Sequence, residues 1–159
     1  MEILNKGNIK EFYHFENPIG EGINQVVSGV SLKSGEEVAI KMISLNDATE
    51  EDMEYLFKEI QILSEVDHPN IVKLIEVFEV AEEKMFYVVS ELAKGGSLAE
   101  KIGQRDYFDE ATAAQILSPL VDAVSYLHSV GISHRDLKVS FWRFLSVFLW
   151  GTSGPFFGF

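Results

Sequence analysis

The chain has 159 residues, of which 47% are apolar and 24% charged, a globular mix that excludes a disordered tail, a collagen-like repeat and a charge-dominated linker. Its formal net charge of -12 works against sequence-blind attraction to nucleic acid or an anionic membrane. With no cysteine there is no disulfide framework, thiolate zinc site or thiol nucleophile.

The opening residues Met1 to Lys6 contain no apolar signal core, so a soluble, cytoplasmic chain is the expectation. From Phe12 to Ile43 short apolar runs alternate with turn signals. Gly20-Glu21-Gly22 breaks the first run, and Lys33-Ser34-Gly35-Glu36 separates Val26–Leu32 from Glu37–Ile43. Both flanking runs are rich in β-branched residues, which predicts strands of an antiparallel meander. A helix follows: Thr49 and Asp52 have the spacing of a capping box, and Met53, Leu56, Phe57, Ile60 and Leu63 recur at helical intervals. His68-Pro69-Asn70 ends it. Ile71–Val80 and Met85–Glu91 read as two more strands joined around Glu82-Glu83-Lys84. Gly95-Gly96-Ser97 then stops the sheet and starts a short helix.

Asp109 is a good N-cap for a longer helix whose buried stripe is Ala113, Ile116, Leu117, Leu120, Val121, Val124 and Leu127. Gly131 closes it, and Gly131-Ile132-Ser133 reads as a short strand. Strands, one helix, strands, then helices predict an α+β fold with a sheet-rich first layer.

Three motifs can carry chemistry. The glycine pair Gly20 and Gly22 lets backbone amides approach phosphate oxygens closely, although a turn in a meander has the same composition. In Val38-Ala39-Ile40-Lys41, Lys41 points away from the face of Ile40. It is either a solvated edge lysine or a donor to phosphate oxygens held by a carboxylate, for which Glu59 is the candidate. Glu59 itself can equally be a solvated helix position. In His134-Arg135-Asp136-Leu137-Lys138, Asp136 has the chemistry to accept a proton from a hydroxyl nucleophile, and Lys138 to neutralise a transferring phosphoryl group.

In this order, these motifs resemble the first half of a eukaryotic protein kinase domain. The shared landmarks are the Gly-rich loop at 20–27, VAIK at 38–41, the helix with Glu59, HPNIVKL at 68–74, FYVVSELAKGGSL at 86–98 and YLHSVGISHRDLK at 126–138. Lys138, two residues after Asp136, is similar to serine/threonine rather than tyrosine kinases, and the phrasing at 68–74 is most similar to the calcium/calmodulin-dependent group. The resemblance implies an antiparallel small lobe with one helix at 12–93, the first helices of a large lobe at 94–138, and an extension at 1–11. It implies ATP as the bound nucleotide and protein substrates accepting its γ-phosphoryl. Gly20 and Gly22 would cover the phosphates, and Val27 and Ala39 would sandwich the adenine. Lys41 would contact the α- and β-phosphates and pair with Glu59. The backbone of Glu91 and Ala93 would bind the adenine edge, and Ser97 would reach the ribose. Ser90 would stand behind the adenine, where a serine leaves a back pocket.

The chain departs from the family in three places. Gln25 replaces the third loop glycine, and Ser90 replaces a bulkier residue. After Lys138 the family continues Pro-Glu-Asn, whereas this chain reads Val139-Ser140-Phe141. Phe141 stands where a Mg2+-binding asparagine is expected, and no Asp-Phe-Gly follows. The chain as written is therefore expected to be catalytically inactive. Residues 139–159 hold six of the 12 phenylalanines and both tryptophans, with Arg143 their one charge. Val-Ser is what an intron's usual start encodes when read in frame, so a frame-lost tail is the expectation, with a natural short isoform as the alternative. The 16 uncharged residues from Phe144 fall short of the roughly 20 that span a membrane.

Overall fold

The β-branched runs on either side of Lys33-Ser34-Gly35-Glu36 form paired strands, as their pattern predicts. The computed structural model describes residues 4–20, 25–95, 98–104, 107–134 and 137. They fall into two units, one of residues up to Ser64 with Lys73–Leu92, the other of Glu65–Val72 with residues from Ala93 onward.

In the first unit the elements are β1 (Leu4–Asn5), a 3-10 turn (Ile9–Glu11), β2 (Tyr13–Gly20), β3 (Gln25–Ser31), β4 (Glu37–Ser44), α1 (from Glu50, ending at Glu65), β5 (Leu74–Val80) and β6 (Met85–Glu91). The strands make one sheet in the order β1-β5-β6-β4-β3-β2. Neighbours are antiparallel except that β1 runs parallel to β5, with Leu4 opposite Val77 and Asn5 opposite Phe78. The sequence pattern assigns no element before Phe12, yet Ile9 is fully buried in the core. Pro18, which cannot donate to a ladder, sits in the edge strand β2 next to register shifts.

The sheet has two apolar faces. On the outer face Ile9, Tyr13, Val27, Val38, Ile40, Phe78, Tyr87 and Val89 form one cluster. Gly29 belongs to this side: a Cβ there would come within 2.8 Å of both Ile40 Cδ1 and the His14 carbonyl, so only glycine lets these strands approach. The Tyr13 hydroxyl donates to Glu76, whose other carboxylate oxygen accepts from Asn5 Nδ2 at 2.6 Å. Burial and the Glu76 charge push the Tyr13 hydroxyl's pKa above the usual tyrosine range.

Helix α1 covers the opposite face, where the Phe57 ring meets Phe86 edge-on at 5.6 Å. Its start is the predicted capping box. Thr49 N donates to Asp52 Oδ2 at 2.8 Å, and Asp52 N donates back to Thr49 Oγ1 at 3.2 Å. Glu50, Glu51 and Asp52 in the first turn oppose the positive end of the helix dipole. Of the predicted stripe, Leu56, Ile60 and Leu63 are buried, while Phe57 is partly exposed.

In the second unit the described elements are α2 (Leu98–Gly103) and α3 (Glu110–Ser129). Asp109 caps α3 by accepting from Thr112 N at 2.7 Å, and Gly131 follows its end at φ +78°. The segment before β5 is tied to α3: His68 Nε2 lies 3.3 Å from Asp122 Oδ2, Asn70 Nδ2 donates to the same oxygen at 3.2 Å, and the His68 ring stacks on Tyr126.

Three expectations need correction. The strand at 71–80 begins at Leu74, because Ile71 makes only an isolated bridge. No strand forms at Gly131-Ile132-Ser133: Gly131 is in a turn, and the next two residues are irregular. The predicted α3 stripe is only partly covered: Leu127 is buried while Leu117 and Val121 are 47% and 63% exposed, and Ala123, outside that stripe, is buried instead. Among the described residues no helix is long and apolar enough to cross a membrane.

Candidate functional site

Strand β4 runs near the middle of the sheet, so both of its neighbours constrain where its side chains point. Cross-strand partners share a face. Ala39 lies opposite Ser28 on β3 and Ser90 on β6, while Lys41 lies opposite Val26 and Val88. Ile43 lies opposite Phe86, the residue that α1 touches through Phe57. Ala39, Lys41 and Ile43 therefore look toward the α1 side, and Val38, Ile40 and Met42 toward the outer cluster.

Lys41 is only 2% exposed and Glu59, on α1, only 7%. The structure overturns the solvated reading of both residues. Burial is the larger influence on each, driving the Lys41 ammonium's pKa down and the Glu59 carboxyl's up, and each partner's charge opposes the other's shift. Glu59 Oε2 is buried without a hydrogen-bond partner. A buried acceptor left over in this way is short of a hydrogen-bond donor.

Ser90 is 4% exposed and shares the Ala39 face. No large side chain occupies its position in that row, as the sequence implied. Glu91 ends β6. Its N–H donates to the Lys73 carbonyl at 3.1 Å, and its carboxylate accepts from Lys73 N at 3.0 Å. Ala93 is half-buried, two residues beyond the strand, and belongs to the second unit.

Val27 does not join this group. It lies directly opposite Ile40 and packs in the outer cluster, so Val27 and Ala39 point to opposite faces. The expected sandwich of a base between them would need both side chains on one face, and the register puts them on two. The physical reason is the hairpin's register: Ser31 N donates to the Glu36 carbonyl at 2.9 Å, which sets Val26 against Lys41. A slip of one residue would reverse every side chain of the strand. Val26 and Ser28 share the Ala39 face, and sequence reasoning singled out neither. The signal that identifies them is the parity of the turn, countable only once the closing Ser31–Glu36 pair is known.

Gly20 ends β2 opposite Val26. Gly22, Ser97, Asp136 and Lys138 lie outside the described residues, as does the 139–159 tail.

The sequence profile described as protein kinase domain matches residues 13–140. Curated relatives in Dictyostelium discoideum include a protein named "Probable myosin light chain kinase", 40% identical over 82% of this chain and 33% of its own length. Myosin light chain kinase A of the same organism is 37% identical over 82% of this chain and 44% of its own. Calcium-dependent protein kinase 5 of Plasmodium falciparum is 37% identical over 86% of this chain and 24% of its own. The chain thus spans a quarter to less than half the length of these relatives.

Proposed function

This chain belongs to the protein kinase family, and from that premise we propose that its first unit binds ATP on the Ala39–Lys41 face of the sheet. The observation that carries the reading is the Lys41–Glu59 pair, buried on that face with one carboxylate oxygen unpartnered. In this proposal Lys41 donates to the phosphate oxygens and Glu59 holds its ammonium in place. Ala39 offers a flat, small surface to the base. The Glu91 carbonyl, its N–H being engaged by Lys73, accepts from the base's edge. Gly20 and Gly22 admit the phosphates.

The family activity proposed for the parent protein is transfer of the γ-phosphoryl group of ATP to serine or threonine in a protein. Asp136 would orient the attacking hydroxyl and accept its proton, and Lys138 would neutralise charge on the phosphoryl group. Phosphoryl transfer in this family also draws on Mg2+ for charge neutralisation. Here the donor set does not fit that ion: Phe141 offers no ligand atom where the resemblance places an asparagine. No step through the metal is derived, and the 159 residues by themselves are proposed to bind nucleotide without transferring phosphate.

The test is a thermal-shift titration with ATP, with and without Mg2+, on the chain and on its Lys41→Ala variant. ATP should raise the midpoint of the unaltered chain and leave the variant's in place. Equal shifts would remove the case for a nucleotide site at Lys41.

A further inference from the structure

Between the pairs Phe15–Gly29 and Pro18–Val27, β2 has two residues, Glu16 and Asn17, where β3 has only Ser28. The extra residue makes a bulge, and the Ser28 side chain meets both residues in it. Its hydroxyl accepts from Asn17 N at 3.2 Å, and its proton has the Asn17 carbonyl at 3.3 Å and Glu16 Oε2 at 3.4 Å within reach. Pro18, next along, has no N–H with which to tie β2 back to β3. The other β3 side chains on this face, Val26 and Val30, stand opposite Lys41 and Glu37 and carry no polar atom for the task.

We propose that Ser28 is a positioning residue of the nucleotide site: its hydroxyl holds this bulge and so keeps Gly20 in line with Lys41. The inference rests on the nucleotide reading above and adds to it a residue that acts through β2. Beyond the bulge Gly20 stands opposite Val26, which stands opposite Lys41, so glycine and ammonium share one cross-strand row. Phosphate oxygens are admitted along that row. Flattening the bulge with the chain length unchanged slides β2 by one residue. Gly20 then faces Gln25, whose partner on β4 is Met42 on the outer side. Ser28 is only 7% exposed, so solvent does not readily replace its hydroxyl once removed.

The experiment measures ATP and adenosine affinities by competition against a fluorescent ATP analogue. Adenosine has no phosphates, so a fault in the Gly20–Lys41 row should spare it. Ser28→Ala is expected to bind ATP about tenfold more weakly and adenosine as before, while Ser28→Thr, which keeps the hydroxyl, retains ATP. Deleting Asn17 removes the extra residue and leaves Gly20 opposite Val26 without a bulge. In that background Ser28→Ala should no longer weaken ATP binding, a comparison that decides the matter if Ser28→Ala alone does not fold. Equal weakening of ATP and adenosine, unchanged ATP binding by Ser28→Ala, or a persistent loss in the Asn17-deleted chain would each overturn the proposal. An unaltered chain that does not bind the analogue would sink the nucleotide reading, and this inference with it.

Discussion

Lys41 of β4 and Glu59 of α1 oppose each other's charge shifts while only 2% and 7% exposed, and one Glu59 oxygen has no hydrogen-bond partner. Two charges so far from water cost more in lost hydration than their attraction returns, unless hydrogen bonds complete the site. The pair positions an ammonium; it does not stabilise the fold.

Replacing both partners by apolar residues of similar size should therefore raise stability. Lys41→Met with Glu59→Leu is expected to gain about 1–4 kcal/mol at neutral pH. Glu59→Leu alone leaves the ammonium without the charge that offsets its burial, so it should be less stable than the double variant. Urea denaturation of the three chains checks this, and a double variant less stable than the unaltered chain contradicts it.

The same pair predicts a pH signature. Glu59 is raised by burial from 4.5 to about 7, so the folded chain keeps a proton that the unfolded chain sheds. Its contribution is full below about 4.5 and lost as pH rises to about 7. Lys41 is lowered by burial from 10.5 to about 7, so stability returns as pH rises from about 7 toward 10.5. The stability of the unaltered chain minus that of the double variant should thus pass through a minimum near neutrality. Denaturation of both at about pH 5, 7 and 9 reads it directly, and a flat difference would count against the burial argument.

Ser90 leaves the row behind Ala39 without a bulky side chain. Purine analogues with a large substituent directed behind the base should bind the unaltered chain at least about tenfold better than Ser90→Met, given the 1–3 kcal/mol typical of overpacking. Competition against a fluorescent nucleotide measures the ratio. Equal affinities would show that no back pocket exists.

Thr49 supplies both the backbone donor to Asp52 and the hydroxyl that Asp52 N donates to. Thr49→Ala should cost about 1 kcal/mol, and Thr49→Ser much less. Chemical denaturation distinguishes them, and identical losses would mean that the hydroxyl is idle.

Leu117 and Val121 lie exposed on α3. Changing both to lysine should move the unfolding free energy by no more than about 0.5 kcal/mol for each site while raising the soluble concentration. A large loss of stability would show that the stripe is covered in solution.

Local chemistry is legible in this sequence wherever a residue acts on its immediate neighbours. Alternation and turn residues placed β3, β4 and β6, the Thr49–Asp52 spacing announced α1, and Asp109 announced α3. The motifs around Lys41, Glu59 and Ser90 were visible by their order along the chain, and the comparisons bear out the family they resemble. Tertiary structure decided what depends on distant partners. It buried Glu59 against β4 instead of leaving it in solvent, brought Leu4–Asn5 beside β5, and left part of the α3 stripe uncovered. It also turned Val27 to the outer face. Strand pattern says which residues alternate, but only the hairpin's closing pair says which set faces α1, because a shift of one residue exchanges the two sets completely.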